Sequence, residues 1–66
     1  MNRLLKWLRH YHLPPHLQEV VKPVAEIAGT MDRTLAEGPE KTAGMRKLIE
    51  AKDCFVRARI EQEELV

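Results

Sequence analysis

A single cysteine, three aromatic residues and three glycines stand in a chain of 66 residues, and each scarcity narrows what the chain can be. The lone Cys54 excludes an internal disulfide and a cysteine-built metal framework. With only Trp7, Tyr11 and Phe55 as aromatics, the core has to be made from Leu, Val, Ile, Met and Ala, which suits thin helices packed on one another. No apolar run approaches the roughly 20 residues that span a bilayer. Charge of one sign is lacking too. A formal net charge of +1 carries no general signature of polyanion binding, so a DNA-binding role, which calls for a stronger basic excess, is disfavoured. The opening MNRLLKWLRHY mixes basic and apolar residues as a signal peptide does, but Lys6 and Arg9 interrupt it and no continuous apolar segment follows. The expected location is the cytoplasm.

What is present is one small domain, residues 1–66. A chain this short buries only about 60% of its unfolded surface. Scaffolds of that size commonly rely on disulfides, a metal or a partner chain, and homo-oligomerisation is the support that remains. Charge is unevenly placed. Residues 1–22 hold Arg3, Lys6, Arg9 and Lys22 against Glu19, while the tail EQEELV holds Glu61, Glu63 and Glu64. Ends of opposite sign suit pairing between neighbouring subunits, although each such surface attraction is weak.

The apolar spacing predicts an all-α antiparallel helical hairpin preceded by a short helix. Leu4, Leu5, Trp7 and Leu8 place that short helix at residues 2–11. Leu13-Pro14-Pro15 ends it, because a residue before proline is pushed out of the α region, and Pro15 suits the first turn of the next helix. Leu17, Val20, Val21, Val24, Ile27, Ala28, Met31 and Leu35 recur at helical spacing, giving a helix over 15–36 with an expected kink near Pro23. Gly38-Pro39-Glu40 reads as a stop and a restart, and a third helix is expected over 39–62. Arg46 with Glu50, and Arg57 with Glu61, are spaced to pair on its surface. Lys52 and Arg59 fall inside its apolar arc, where they meet either Glu19, Glu26 or Asp32 of the facing helix or an anionic ligand at a subunit interface. No strand signal, internal repeat or low-complexity segment is evident.

The stretch HYHLPPHL, residues 10–17, brings all three histidines of the chain together with Tyr11. Helical metal pairs sit at i and i+4 on an unbroken turn, and here Pro14 and Pro15 divide His12 from His16, so no metal site is expected. Glu50 and Asp53 are one turn apart but surrounded by Lys47, Lys52 and Arg57, a pattern of solvated ion pairs. Cys54 has no basic partner at helical spacing beyond Arg57 and Lys47 and reads as a packed or inert thiol. With no Ser-His-Asp set and no glycine-rich phosphate loop, an enzyme is the weakest reading. Lys41, Thr42, Arg46 and Lys47 cluster at the start of the third helix, whose free N–H groups favour an anion. A small phosphorylated ligand finds charge, donors and dipole together there.

YHLPPHLQEVVKPVAEIA followed by GPEKTAGMRKLIEAKDCFVRAR resembles the phage helical-hairpin proteins that act as anti-CBASS and anti-Thoeris cyclic-nucleotide sponges. The likeness rests on an aromatic-His-Pro-Pro opening at Tyr11, His12, Pro14 and Pro15. It also rests on Glu40 and Thr42 in the turn, and on the run marked by Met45, Leu48, Glu50 and Ala51. It spans roughly residues 10–58. The extra Leu13, the interrupting Pro23 and the triplet Lys52-Asp53-Cys54 depart from the family pattern. The resemblance implies a non-enzymatic homo-oligomer, hexamer favoured, without cofactor or metal. It would sequester cyclic dinucleotides such as cyclic GMP-AMP, or cyclic trinucleotides, in an infected bacterial host. By position it makes Tyr11 the ring that stacks on a base and His12 a supporting hydrogen bonder. Thr42, Lys22, Lys41, Arg46 and Lys52 become the candidates for phosphate contact. The rival expectation is a small structural or adaptor protein whose helical faces bind another protein.

Overall fold

The computed structural model describes residues 2–65. It consists of a 3-10 helix, η1 (Arg3–Leu8), and two α-helices, α1 (Pro15–Thr34) and α2 (Pro39–Glu64), with η1 laid across the hairpin that the other two form. The all-helical hairpin expected from the apolar spacing is present.

The first helix is shorter and tighter than the span 2–11 expected of it. Asn2 caps it, its side chain accepting the Leu4 N–H at 2.9 Å. Arg9 is already extended, and the Leu13 N–H donates to the His10 carbonyl at 3.0 Å to close a separate turn. So short a segment gains little from i→i+4 bonding and settles into the 3-10 form.

Pro15 occupies the first turn of α1, where its missing N–H costs nothing. Gln18 ties down the corner before it: its amide donates to the carbonyls of Leu13 at 2.6 Å and Tyr11 at 3.3 Å. Pro23 lies inside α1 on its exposed side, and helix continues on both sides of it. The inward stripe is Val21, Val24 and Ala28. α1 stops at Thr34, short of the expected residue 36, where Leu35 turns extended. Gly38 is extended, and Pro39 and Glu40 open α2, which runs past the expected residue 62. Neither expected surface pair closes: no salt bridge joins Arg46 to Glu50 or Arg57 to Glu61. Arg57 turns instead to the Cys54 Sγ at 3.3 Å, and Arg46 faces η1. Of the two cations inside the apolar arc, Arg59 reaches Glu19 of α1 at 3.4 Å, whereas Lys52 pairs with its own neighbour Asp53 at 2.7 Å.

Leu8, Val24, Ala28 and Met45 make the core, with Leu4, Leu5, Ala25, Leu48 and Ile49 packed around it. This is thin for the chain's mass. The radius of gyration is 12.8 Å, against about 11 Å for a compact domain of this length.

The turn is locked by a buried ammonium. Lys41 Nζ donates to the Asp32 carbonyl at 3.0 Å, the Leu35 carbonyl at 2.8 Å and Glu37 Oε1 at 2.6 Å, with Asp32 Oδ1 at 3.1 Å. Two of these acceptors are orphan carbonyls at the end of α1, which a lysine can cap. Asn2 joins the same knot, donating its backbone N–H to Asp32 at 2.8 Å and its side-chain amide to Glu37 at 3.2 Å. The expectation that Lys41 faces a phosphate gives way here. Each of its three protons already has an acceptor within the chain, and the residue is buried.

Candidate functional site

Where η1 meets the middle of α2, an open cleft of about 580 Å³ forms. Its floor and apolar wall are Leu13, Val21 and Val56; Lys6, Trp7 and Arg9 enter from η1 and the residues after it, and Lys52, Asp53 and Arg57 from α2. His12 closes the end at the proline corner. The local reason is η1 itself: its apolar residues Leu4, Leu5 and Leu8 turn onto the hairpin. Its remaining face, Lys6 and Trp7, is left beside α2. The Lys6 ammonium lies 5.3 Å from the Trp7 ring centroid, within cation–π range, and the indole is 58% exposed.

The electrostatics are one-sided. Four cations line the cleft against one carboxylate, and that carboxylate, Asp53, is engaged by Lys52. A preference for anions follows. The site offers an accessible aromatic face, guanidinium and ammonium groups for phosphate oxygens and an imidazole at one end. Its volume falls within the range of about 300–1,000 Å³ typical of small-molecule pockets.

Two further depressions lie along the same seam. A shallow depression between Leu4, Trp7, Arg46, Ile49 and Glu50 shares Trp7 with the main cleft. It leads to a polar hollow of about 320 Å³ lined by Asn2, Arg3, Leu4, Glu37, Thr42 and Arg46. The residues singled out from sequence therefore divide. His12 and Lys52 come together in the main cleft, and Thr42 and Arg46 come together in the hollow at the start of α2. Tyr11 lines neither; it stands 85% exposed at the corner, its ring 4.5 Å from that of His10. Lys22 is exposed on α1, and Lys41 belongs to the knot at the turn.

Lys6, Trp7, Arg9 and Arg57 were not among the expected site residues. A signal for three of them was present: the only tryptophan stands next to a lysine and two positions before Arg9, inside the basic first third of the chain. Among the described residues, no three His, Cys, Asp or Glu side chains are grouped as metal ligands. No described helix is long and apolar enough to cross a membrane. Compared with models of known protein families, with curated proteins and with solved structures, the chain matches none.

Proposed function

We propose that this chain is a phage-type sequestering protein, an oligomer that holds cyclic di- or trinucleotide immune signals in the bacterial cytoplasm without cleaving them. The observation that carries the reading is the cleft in which Trp7 and His12 meet Lys6, Arg9, Lys52 and Arg57. A cyclic oligonucleotide pairs flat bases with closely spaced phosphates, and the cleft matches both. Stacking on an aromatic ring contributes about 1–3 kcal/mol per base, and a hydrogen bond to a charged phosphate about 1.5–3 kcal/mol. The cleft's one carboxylate is held by Lys52, which leaves the lining cationic overall and suited to holding phosphates. Thr42 and Arg46, farther along the seam, extend the phosphate-binding surface, and the exposed Tyr11 ring offers a second stacking face.

Calorimetric titration with a panel of cyclic di- and trinucleotides tests this. At least one is expected to bind and to be recovered intact. Trp7→Ala should weaken binding by about 5- to 150-fold, the equivalent of one lost stacking contact. Tyr11→Ala measures whether the second ring shares that role. No heat for any member of the panel sinks the proposal.

A second reading has its own support. Ile27, Met31 and Leu35 are large apolar residues left at least a third exposed on one flank, as in a helical adaptor that binds another protein. A pull-down partner with no nucleotide response would favour it.

A further inference from the structure

The ring of Trp7 is a wall of both the main cleft and the shallow depression beside it. Where η1 stands on the hairpin therefore decides the shape of both. A segment of two turns does not hold its own conformation in water, so contacts outside it must set its place. Its leucines keep it on the core: Leu8 is buried, and Leu4 and Leu5 pack beside it. Apolar contact is non-directional and leaves η1 free to turn about its own axis. Hydrogen bonds are directional and remove that freedom.

Among the described residues, the hydrogen bonds that run from residues 2–9 to the hairpin are both made by Asn2. Its backbone N–H donates to Asp32 Oδ1 at 2.8 Å, and its side-chain amide to Glu37 Oε2 at 3.2 Å. The same residue begins η1. Its side-chain oxygen accepts the Leu4 N–H at 2.9 Å, and its carbonyl the Leu5 N–H at 3.1 Å. Asn2 is only 6% exposed, so water competes little for these four bonds.

We infer that Asn2 is the positioning residue of the cleft: by tying η1 to the turn of the hairpin, it fixes where Trp7 stands. Trp7 lies five residues further on, about 10 Å along a 3-10 helix. Asn2 lines the polar hollow and not the cleft, so it acts on a base stacked at Trp7 through η1. Asp32 and Glu37 are the other half of the device, and Lys41 holds both of them at the turn. The turn between α1 and α2 thereby sets the aromatic wall of a cleft beside the middle of α2. The effect on a ligand rests on the proposed function; the placement of Trp7 does not.

Trp7 is the only tryptophan of the chain, so its fluorescence reports its surroundings without a label. Asn2→Asp keeps an oxygen for the Leu4 N–H, since Asp and Asn cap about equally well. It also sets a carboxylate against Glu37 in place of a donor. Adding Glu37→Gln reverses the pair: the glutamine amide donates to the new carboxylate, and its oxygen still accepts from Lys41. The reversed pair carries the wild-type net charge, which separates the bond from the added negative charge. In the ligand-free chain, Asn2→Asp should raise acrylamide quenching of Trp7 with the far-ultraviolet helix signal unchanged. The reversed pair should bring it back.

Binding that needs the placed wall falls with the fraction of chains that hold it. Losing one hydrogen bond shifts such an equilibrium by about 2- to 13-fold, the loss of cyclic-nucleotide affinity expected of Asn2→Asp. The reversed pair should recover it, and in a Trp7→Ala chain Asn2→Asp should cost no further affinity. Quenching that is the same in the wild type and in Asn2→Asp overturns the inference. So does a change that the reversed pair leaves in place, or an affinity loss that persists without Trp7. The expected quenching pattern in a chain that gives no nucleotide heat removes the ligand reading alone and upholds Asn2 as what positions Trp7.

Discussion

Replacing Met45 by alanine tests the account of the core most directly. Met45 is 1% exposed and sits where η1, α1 and α2 converge, among Leu8, Val24 and Ala28. Truncating a buried methionine removes its transfer free energy and leaves a cavity, together about 2–5 kcal/mol. Here the surrounding Leu4, Leu5, Leu48 and Ile49 are only partly buried and can settle inward, which places the cost at about 2–3.5 kcal/mol. A chain of this length has about 3–10 kcal/mol of total stability. One side chain therefore accounts for a fifth or more of it. At about 4–8 °C per kcal/mol, the melting temperature should fall by roughly 10–25 °C. Thermal unfolding followed by far-ultraviolet dichroism, at concentrations low enough to exclude assembly, reads this directly. Ile60→Ala, at a residue 41% exposed on the same helix, is the control and should cost about 1 kcal/mol or less. A Met45→Ala shift below about 5 °C, or one no larger than the control's, refutes a core organised around Met45.

The knot at the turn makes stability depend on pH at both ends. The Asn2 backbone N–H, with Lys41 behind it, holds the Asp32 carboxyl below its ordinary 3.8. The stability this contributes is present above that value and is lost as pH falls through the lower, folded-state pKa. Glu37, with Asp32 assisting, raises the Lys41 ammonium above its ordinary 10.5. That contribution is complete below 10.5 and is lost as pH rises through the higher, folded-state pKa. Urea unfolding across pH should show a plateau with two falling limbs, and Lys41→Met should flatten the alkaline one; an alkaline limb unchanged in the variant removes Lys41 from the knot. Gly29→Ala should stabilise α1 by about 0.5–1 kcal/mol, because the added Cβ meets only the flexible end of Arg33 at 3.3 Å. A destabilised variant in the same unfolding assay would show that Arg33 cannot give way.

The helical hairpin was legible because apolar residues at spacings of three and four leave few alternatives, and because Pro15, Gly38 and Pro39 punctuate it where the helices begin and end. The site was legible only in part. Lys52 and His12 are 40 positions apart, and both were candidates, but nothing local says that they share a cleft with Trp7. Lys41 shows the opposite failure. As a basic residue at a helix start it matches an anion site by every local criterion, yet the returning end of α1 brings two bare carbonyls and two carboxylates to its ammonium.

Sequence alone determined the class of structure: no disulfide, an aliphatic core, two long helices and a proline corner. Each follows from residue types and spacing within one turn or one helix. Tertiary structure decided which cations are spent and which are free. Arg59 is taken by Glu19 and Lys41 by the end of α1, while Lys6, Arg9 and Arg57 remain around Trp7. The physical reason is that a charge's role depends on what faces it across a helix seam. Where η1 lies over one side of the hairpin and leaves the other open is set by packing between residues far apart in the chain.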